Sequence, residues 1–74
     1  MISYEPFWNT LKEKHITIYH LIQKDGINSN TINRIKKNAS ITTYTLDRLC
    51  EVLGCTVPDI IAFTPDDTDG EQTS

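Results

Sequence analysis

With 74 residues, the chain has room for one small domain, and its 38% hydrophobic and 23% charged residues are ordinary for a soluble globular protein. No stretch approaches the roughly 18 apolar residues of a membrane span, and no charged-then-apolar leader opens the sequence, so we expect a cytoplasmic protein without a membrane partner.

The net charge of −3 is distributed unevenly along the chain. Without the four acids Asp66, Asp67, Asp69 and Glu71, seven bases stand against six acids, which gives +1. From 26 to 46 there are three bases and no acid. Because nucleic-acid binding depends on the local electrostatic field, the acidic overall balance does not exclude a nucleic-acid partner.

The two cysteines, Cys50 and Cys55, are expected to be free and buried. The alternative is a zinc site that adds His15 and His20 as ligands. Against it, the chain has no C-x-x-C pair, and the histidines lie on a different segment. We therefore expect neither a metal nor another cofactor.

The first two predicted helices occupy the N-terminal third of the chain. The first runs from about Pro6 to Lys14, because proline suits a first helical turn. The second spans about 17–24, since Thr17 is a suitable N-cap and Gly26 can take the left-handed conformation that ends a helix. The residues expected to face inward at helical spacing are Phe7, Trp8, Leu11, Ile18, Leu21 and Ile22.

Three more helices are predicted after the glycine. The third spans about 28–38 and opens at Asn28 or Ser29, which are both good N-caps. The fourth is capped by Thr42 or Thr43 and closed by Gly54. A short fifth helix opens at Pro58. The inward residues of the third and fourth helices are Ile32, Ile35, Leu46, Leu49, Cys50 and Leu53.

These elements predict an all-α fold, a compact bundle of four to five short helices with no strand. The domain is expected to cover residues 1–63. Residues 64–74 are rich in Pro, Asp, Gly, Thr and Ser and are predicted to form an acidic flexible tail. A solubilising end is the plain interpretation of this tail. The alternatives are binding of a basic partner and masking of the basic helix when DNA is absent.

The second helix, the glycine turn and the third helix have the layout of a helix-turn-helix unit. On a helical wheel, Asn30, Asn33, Arg34 and Lys37 form one outward stripe. Arginine can pair with guanine and asparagine with adenine, while Lys36 and Lys37 can reach phosphates. Because asparagine has low helix propensity, a merely solvated face would favour other residues.

No catalytic set accompanies this stripe, so the chain is not expected to be an enzyme. A serine stands near the third helix without a histidine or an acid beside it, and the three glycines are too far apart for a phosphate-binding loop.

Two stretches, "TIYHLIQKDGINSNTINRIKKN" and "TLDRLCEVLGCTVPDII", resemble the Cro/cI-type, or lambda-repressor-like, helix-turn-helix domains of the Xre family. The second stretch matches the pattern L-C-x-x-L-x-C-x-x-x-D-I of its short, single-domain bacterial and phage regulators. The resemblance covers Trp8 to Ile61. It implies a lambda-repressor-like fold and a sequence-specific DNA-binding transcriptional regulator, a repressor, which binds double-stranded DNA as a homodimer with the third helix in the major groove.

The resemblance also implies roles for individual residues. Base contacts are expected from Ser29, Asn30, Asn33 and Arg34. Contacts to the DNA backbone are expected from Thr17, Ile18, Tyr19, Asn28, Lys36, Lys37, Thr42, Thr43 and Tyr44. Three positions depart from the usual family pattern, which often has Gln at Ile18, a small residue at Ile22 and an apolar residue at Asp25.

Two further expectations concern partners. The dimer surface is expected on the fifth helix, at Val57, Ile60, Ile61 and Phe63, although part of this apolar surface can instead complete the monomer core. No domain for a small-molecule effector is evident. The alternative function is a protein-binding adapter or antitoxin-like partner with weak DNA affinity on the same fold, which the acidic tail motivates.

Overall fold

The computed structural model describes residues 1–65, in which four α-helices are joined by short connections. In chain order the elements are β1 (Ile2–Ser3), α1 (Glu5–Lys14), α2 (Ile18–Gln23), α3 (Ser29–Lys36), α4 (Thr43–Leu53), a 3₁₀ turn (Val57–Asp59) and β2 (Ala62–Phe63). The all-α fold class is confirmed. The four acids of the predicted tail lie outside the described residues.

The helices begin and end where the local sequence has capping residues. The side chains of Thr17, Asn28 and Thr42 each accept a hydrogen bond from a backbone N–H two or three residues later, at 2.7 to 3.1 Å. These bonds satisfy N–H groups that have no partner within the helix. Gly54 ends α4 at a φ of 64°, in the left-handed region that glycine adopts without strain.

The turn between α2 and α3 is held from both sides. Gly26 has a φ of 72°, and the next residue, Ile27, is buried and donates its backbone N–H to the Leu21 carbonyl at 3.0 Å. The Asp25 carbonyl accepts a hydrogen bond from Arg48 Nη2 of α4 at 3.2 Å. One buried side chain and one hydrogen bond from α4 therefore hold this turn in place.

Asp25 also has a side-chain partner at the end of α2. Its Oδ2 lies 3.3 Å from Nδ1 of His20, five residues earlier in the chain. A carboxylate is unfavourable near a helix C-terminus because of the negative end of the helix dipole. The His20 ring gives this carboxylate a polar neighbour, so this departure from the family pattern is accommodated locally.

Every helix contributes side chains to the core. Its buried apolar residues are Tyr4, Phe7, Leu11, Leu21, Ile27, Ile32, Ile35, Leu49, Leu53 and Ile60. Within it, the buried Thr10 donates its hydroxyl to the Asp59 carbonyl at 2.8 Å, which ties α1 to the 3₁₀ turn. The phenol of Tyr4 donates to the Ala39 carbonyl and so fixes the start of α1 to the loop after α3.

The prediction that no strand forms is wrong, because β1 and β2 pair in antiparallel register, with Ile2 opposite Phe63 and Ser3 opposite Ala62. Each strand has only two residues, too few to show an alternating pattern. Their pairing joins opposite ends of the described chain, and it depends on the folded helices that bring those ends together.

The predicted fifth helix is also corrected, to a single 3₁₀ turn. Asp59 Oδ2 accepts the Thr56 N–H at 3.2 Å, which closes the turn, and the chain then becomes extended to enter β2. The side chain of Ile60 is 0% exposed. One of the four residues expected to form a dimer surface therefore belongs to the monomer core.

The two thiols are free, as expected, but both are only partly buried. Burial raises the pKa of the Cys55 thiol, and the neighbouring Cys50 and Asp59 act in the same direction, so the protonated thiol is favoured. Among residues 1–65, no three or more His, Cys, Asp and Glu side chains form a metal-binding group. The longest helix in this range has 11 residues, and none there could cross a membrane.

Candidate nucleic-acid interface

The outward face of α3 forms one continuous polar surface. A hollow of about 340 Å³ runs along it, lined by Asn30, Asn33, Arg34, Lys37 and Ala39. On the opposite side, Ile32 and Ile35 are each 2% exposed. The structure therefore brings together the four side chains of the predicted stripe. We call this hollow and its polar lining residues the α3 face.

The N-terminal end of α3 presents Ser29 and Asn30 beside the cap. Asn28 is exposed, and its Oδ1 accepts the Asn30 N–H at 2.7 Å. That bond holds the first turn in place. The backbone N–H groups of a first turn carry the positive end of the helix dipole, so this end of the α3 face favours a negative ligand.

Arg34 is tethered to the loop after α3. Its Nε donates to the Ser40 carbonyl at 2.8 Å, a contact that the sequence patterns did not indicate. The two Nη groups carry the other four N–H donors of the guanidinium. Because the bond restrains a long side chain, less rotational freedom is lost when the Nη groups bind a ligand.

The two lysines at the end of α3 differ in position. Lys37 lines the hollow with the asparagines, whereas Lys36 is exposed but does not line it. This separation follows from the 100° between successive helical residues. Lys36 therefore presents its charge beside the α3 face and Lys37 on it.

The starts of α2 and α4 place further candidate side chains on the surface. The Thr17 and Thr42 hydroxyls are used as N-caps, and Ile18 packs partly buried against the core. Tyr19 and Tyr44 are 71% and 73% exposed. Thr43, at the first position of α4, is exposed. The two threonine caps thus have local roles whether or not they also bind a ligand.

Tyr44 lies near the start of α3. It lines a second hollow of about 380 Å³ with Asn28 and Thr31 of the α3 start and with Arg48 of α4. Tyr44 therefore shares a hollow with Asn28, another of the residues expected to contact the DNA backbone. Tyr19 does not line this hollow, so the structure gives it no such link to the α3 face.

Asn38, which follows the predicted stripe, stabilises the fold. Its φ is 59°, and its Nδ2 donates to the Ile2 carbonyl at 3.0 Å. The left-handed conformation is common for asparagine just after a helix, so its place in the sequence could have indicated this. The contact joins the C-terminal end of α3 to β1.

Comparisons with known proteins show to which family the chain is similar. Residues 7–66 match the family model of the Cro/C1-type HTH DNA-binding domain. The chain is similar to the crystal structure of the transcriptional regulator VanUg, form II, with a TM-score of 0.78 and 28% identity. That similarity covers 88% of this chain and 87% of the VanUg chain. No curated protein sequence matches the chain significantly.

Proposed function

The chain belongs to the Cro/C1-type helix-turn-helix DNA-binding family, and from that premise we propose that it is a sequence-specific transcriptional regulator whose α3 enters the major groove of double-stranded DNA. The observation that carries the proposal is the single hollow shared by Asn30, Asn33, Arg34 and Lys37 on the exposed side of α3. The similarity to a transcriptional regulator supports the same role.

The base contacts in this proposal come from Ser29, Asn30, Asn33 and Arg34. The Nη groups of Arg34 donate to O6 and N7 of a guanine while its Nε keeps the Ser40 carbonyl. Asparagine amides match the edge of adenine, which offers one donor and one acceptor. Ser29, at the first position of α3, hydrogen-bonds to an adjacent base edge.

The backbone contacts flank these base contacts. Lys36 and Lys37 neutralise phosphates at the C-terminal end of α3. The starts of α2 and α4 offer backbone N–H groups and hydroxyls, which position the protein without reading sequence. The residues proposed there are Thr17, Ile18, Tyr19, Asn28, Thr42, Thr43 and Tyr44.

A second copy of the chain completes the proposed regulator. The eight residues of α3 rise about 1.5 Å each, so one copy reads only a few base pairs. A homodimer reads two half-sites about 34 Å apart and gains both affinity and specificity. In this proposal the protein represses transcription by occupying its DNA site, and this needs no contact with the transcription machinery.

The strand pair offers the surface for that second copy. Phe63 is 68% exposed, and Ile2, its partner across the strands, is also exposed, as is Met1. Three large apolar side chains thus gather on one small element, and a two-fold axis would match this patch with itself. Ile60 does not contribute, since it is buried.

Sedimentation of Phe63→Ser tests this surface. Loss of the aromatic side chain is expected to weaken self-association at least about fivefold, because a buried interface aromatic commonly contributes more than 1 kcal/mol. Tyr44→Ser removes an equally exposed ring from the DNA side and should leave self-association unchanged. Equal effects of the two substitutions would contradict the proposed dimer surface.

The DNA-binding proposal itself is tested by titrating the wild type with promoter-length DNA at two salt concentrations. Phosphate contacts predict that the logarithm of the binding constant falls steeply with the logarithm of the salt concentration. Absence of DNA binding even at low salt would contradict the proposal and favour the protein-binding adapter.

A further inference from the structure

The described chain ends across β1 from the residue that follows α3 and its last lysines. The Thr64 N–H donates to the Met1 carbonyl at 2.9 Å, just beyond the paired Ile2 and Phe63. The Ile2 carbonyl in turn accepts Nδ2 of Asn38 at 3.0 Å. Asn38 and Thr64 therefore lie on opposite edges of β1, and the segment that follows Pro65 starts one strand away from the residue that follows Lys36 and Lys37.

That segment is longer than α3 when it is extended. Six residues, from 66 to 71, span up to about 20 Å when extended, at about 3.3 Å per residue. The eight residues of α3 span about 12 Å. About 8 Å of its length is therefore left to cross β1, which lies between Thr64 and Asn38.

The charges of the two regions are complementary. Residues 66–71 contain four acids and no base, whereas residues 26–46 contain three bases and no acid. All three bases, Arg34, Lys36 and Lys37, are exposed. Carboxylates also accept hydrogen bonds from asparagine amides, which the α3 face provides beside the bases.

We propose that residues 66–71 of the same chain bind the α3 face in the free protein and compete there with DNA phosphates. This inference rests on the proposed function, because the competition matters only where α3 binds DNA. A tethered segment has an effective concentration of the order of millimolar, so even a weak contact lowers the apparent DNA affinity. The segment lowers the apparent affinity for specific and non-specific DNA by the same factor, so the weaker, non-specific complexes are the first to dissociate at a given protein concentration.

The test compares two full-length variants that remove equal charge. The first carries Asp66→Asn, Asp67→Asn and Asp69→Asn. The second carries Glu5→Gln, Glu13→Gln and Glu51→Gln, which are exposed positions on α1 and α4. Both variants remove three negative charges, so both strengthen the general attraction of DNA equally. A difference between them reports a contact at the α3 face.

The first readout is the NMR spectrum of each protein without DNA at low salt. The side-chain amide signals of Asn30 and Asn33 and the Nε–H signal of Arg34 should shift in the tail variant and stay in place in the α1 and α4 variant. Spectra in which these signals match the wild type in both variants would overturn the proposal.

The second readout is affinity for non-specific DNA at low salt, where the tail variant should bind about threefold to tenfold more tightly than the control variant, as expected for a tethered competitor. Equal gains would show only a general charge effect and overturn the proposal. Tail-dependent NMR shifts without DNA binding by any variant would support the contact and overturn the proposed function. DNA binding without such shifts would support the proposed function and overturn the contact between residues 66–71 and the α3 face.

Discussion

The two faces of α3 differ in what their residues contribute, stability on one side and polar groups for binding on the other. Its inner face is formed by Ile32 and Ile35, which are nearly fully buried and stabilise the fold. Its outer face has Asn30 and Asn33, and asparagine costs up to about 0.7 kcal/mol relative to alanine in a helix. A helix of eight residues cannot offset such a cost through its own hydrogen bonds. The inner face therefore supplies the stability that permits an outer face suited to binding.

The largest expected effect comes from the inner face. Ile35→Ala should lower the free energy of unfolding by about 2–4 kcal/mol, because it leaves a cavity beneath α3. Urea denaturation measures this loss. Lys36→Ala, on the neighbouring exposed residue, should change stability by less than about 0.5 kcal/mol. Similar values for both variants would contradict the division of α3 into two faces.

On the outer face, Arg34→Ala is expected to have the largest effect. It should weaken binding to the preferred DNA site by about 1–3 kcal/mol and relax preference at one base pair. Lys12→Ala removes one positive charge from α1 and serves as the control in the same titrations. Equal loss of binding to preferred and random DNA would argue that Arg34 contacts only phosphate.

Lys37→Ala should have a smaller effect that is independent of DNA sequence. It should weaken binding to all sequences alike and flatten the slope against log salt by about one unit, because one phosphate contact is lost. The measurement is a salt titration on two unrelated DNA sequences. A change in base preference would assign Lys37 to the base contacts instead.

The smallest expected effect is that of Asn33→Ala, for which stability and DNA binding should change in opposite directions. Asn33→Ala should raise the free energy of unfolding by up to about 0.7 kcal/mol, because alanine is the better helix former. The same variant should bind the preferred site more weakly. Thermal unfolding and DNA titration of one preparation measure both. Gains in stability and in affinity together would contradict a role in binding.

The sequence allowed prediction of features that depend on near neighbours. The cap at Thr17, a cap at Thr42 or Thr43, the helix end at Gly54 and the inward isoleucines of α3 were predicted because each depends on residues within one helical turn. The family and the fold class were also predicted, and the comparisons confirm them.

Contacts across the fold could not be predicted in this way. The pairing of Ile2 with Phe63 requires the folded helices, and the bond from Arg34 to the Ser40 carbonyl depends on how the loop after α3 returns. The burial of Ile60 likewise depends on where the 3₁₀ turn meets α1. The sequence shows that such a residue is apolar, but its local pattern does not predict whether the core or a second copy of the chain covers it.

Selection of bound sequences from random DNA tests the central claim that the outer face of α3 reads base sequence. Wild type should enrich two related half-sites whose centres lie about 10 base pairs apart, each with a guanine that loses its enrichment in Arg34→Ala. Enrichment of no sequence by a folded wild-type protein, or the same enriched site for wild type and Arg34→Ala, would contradict this account.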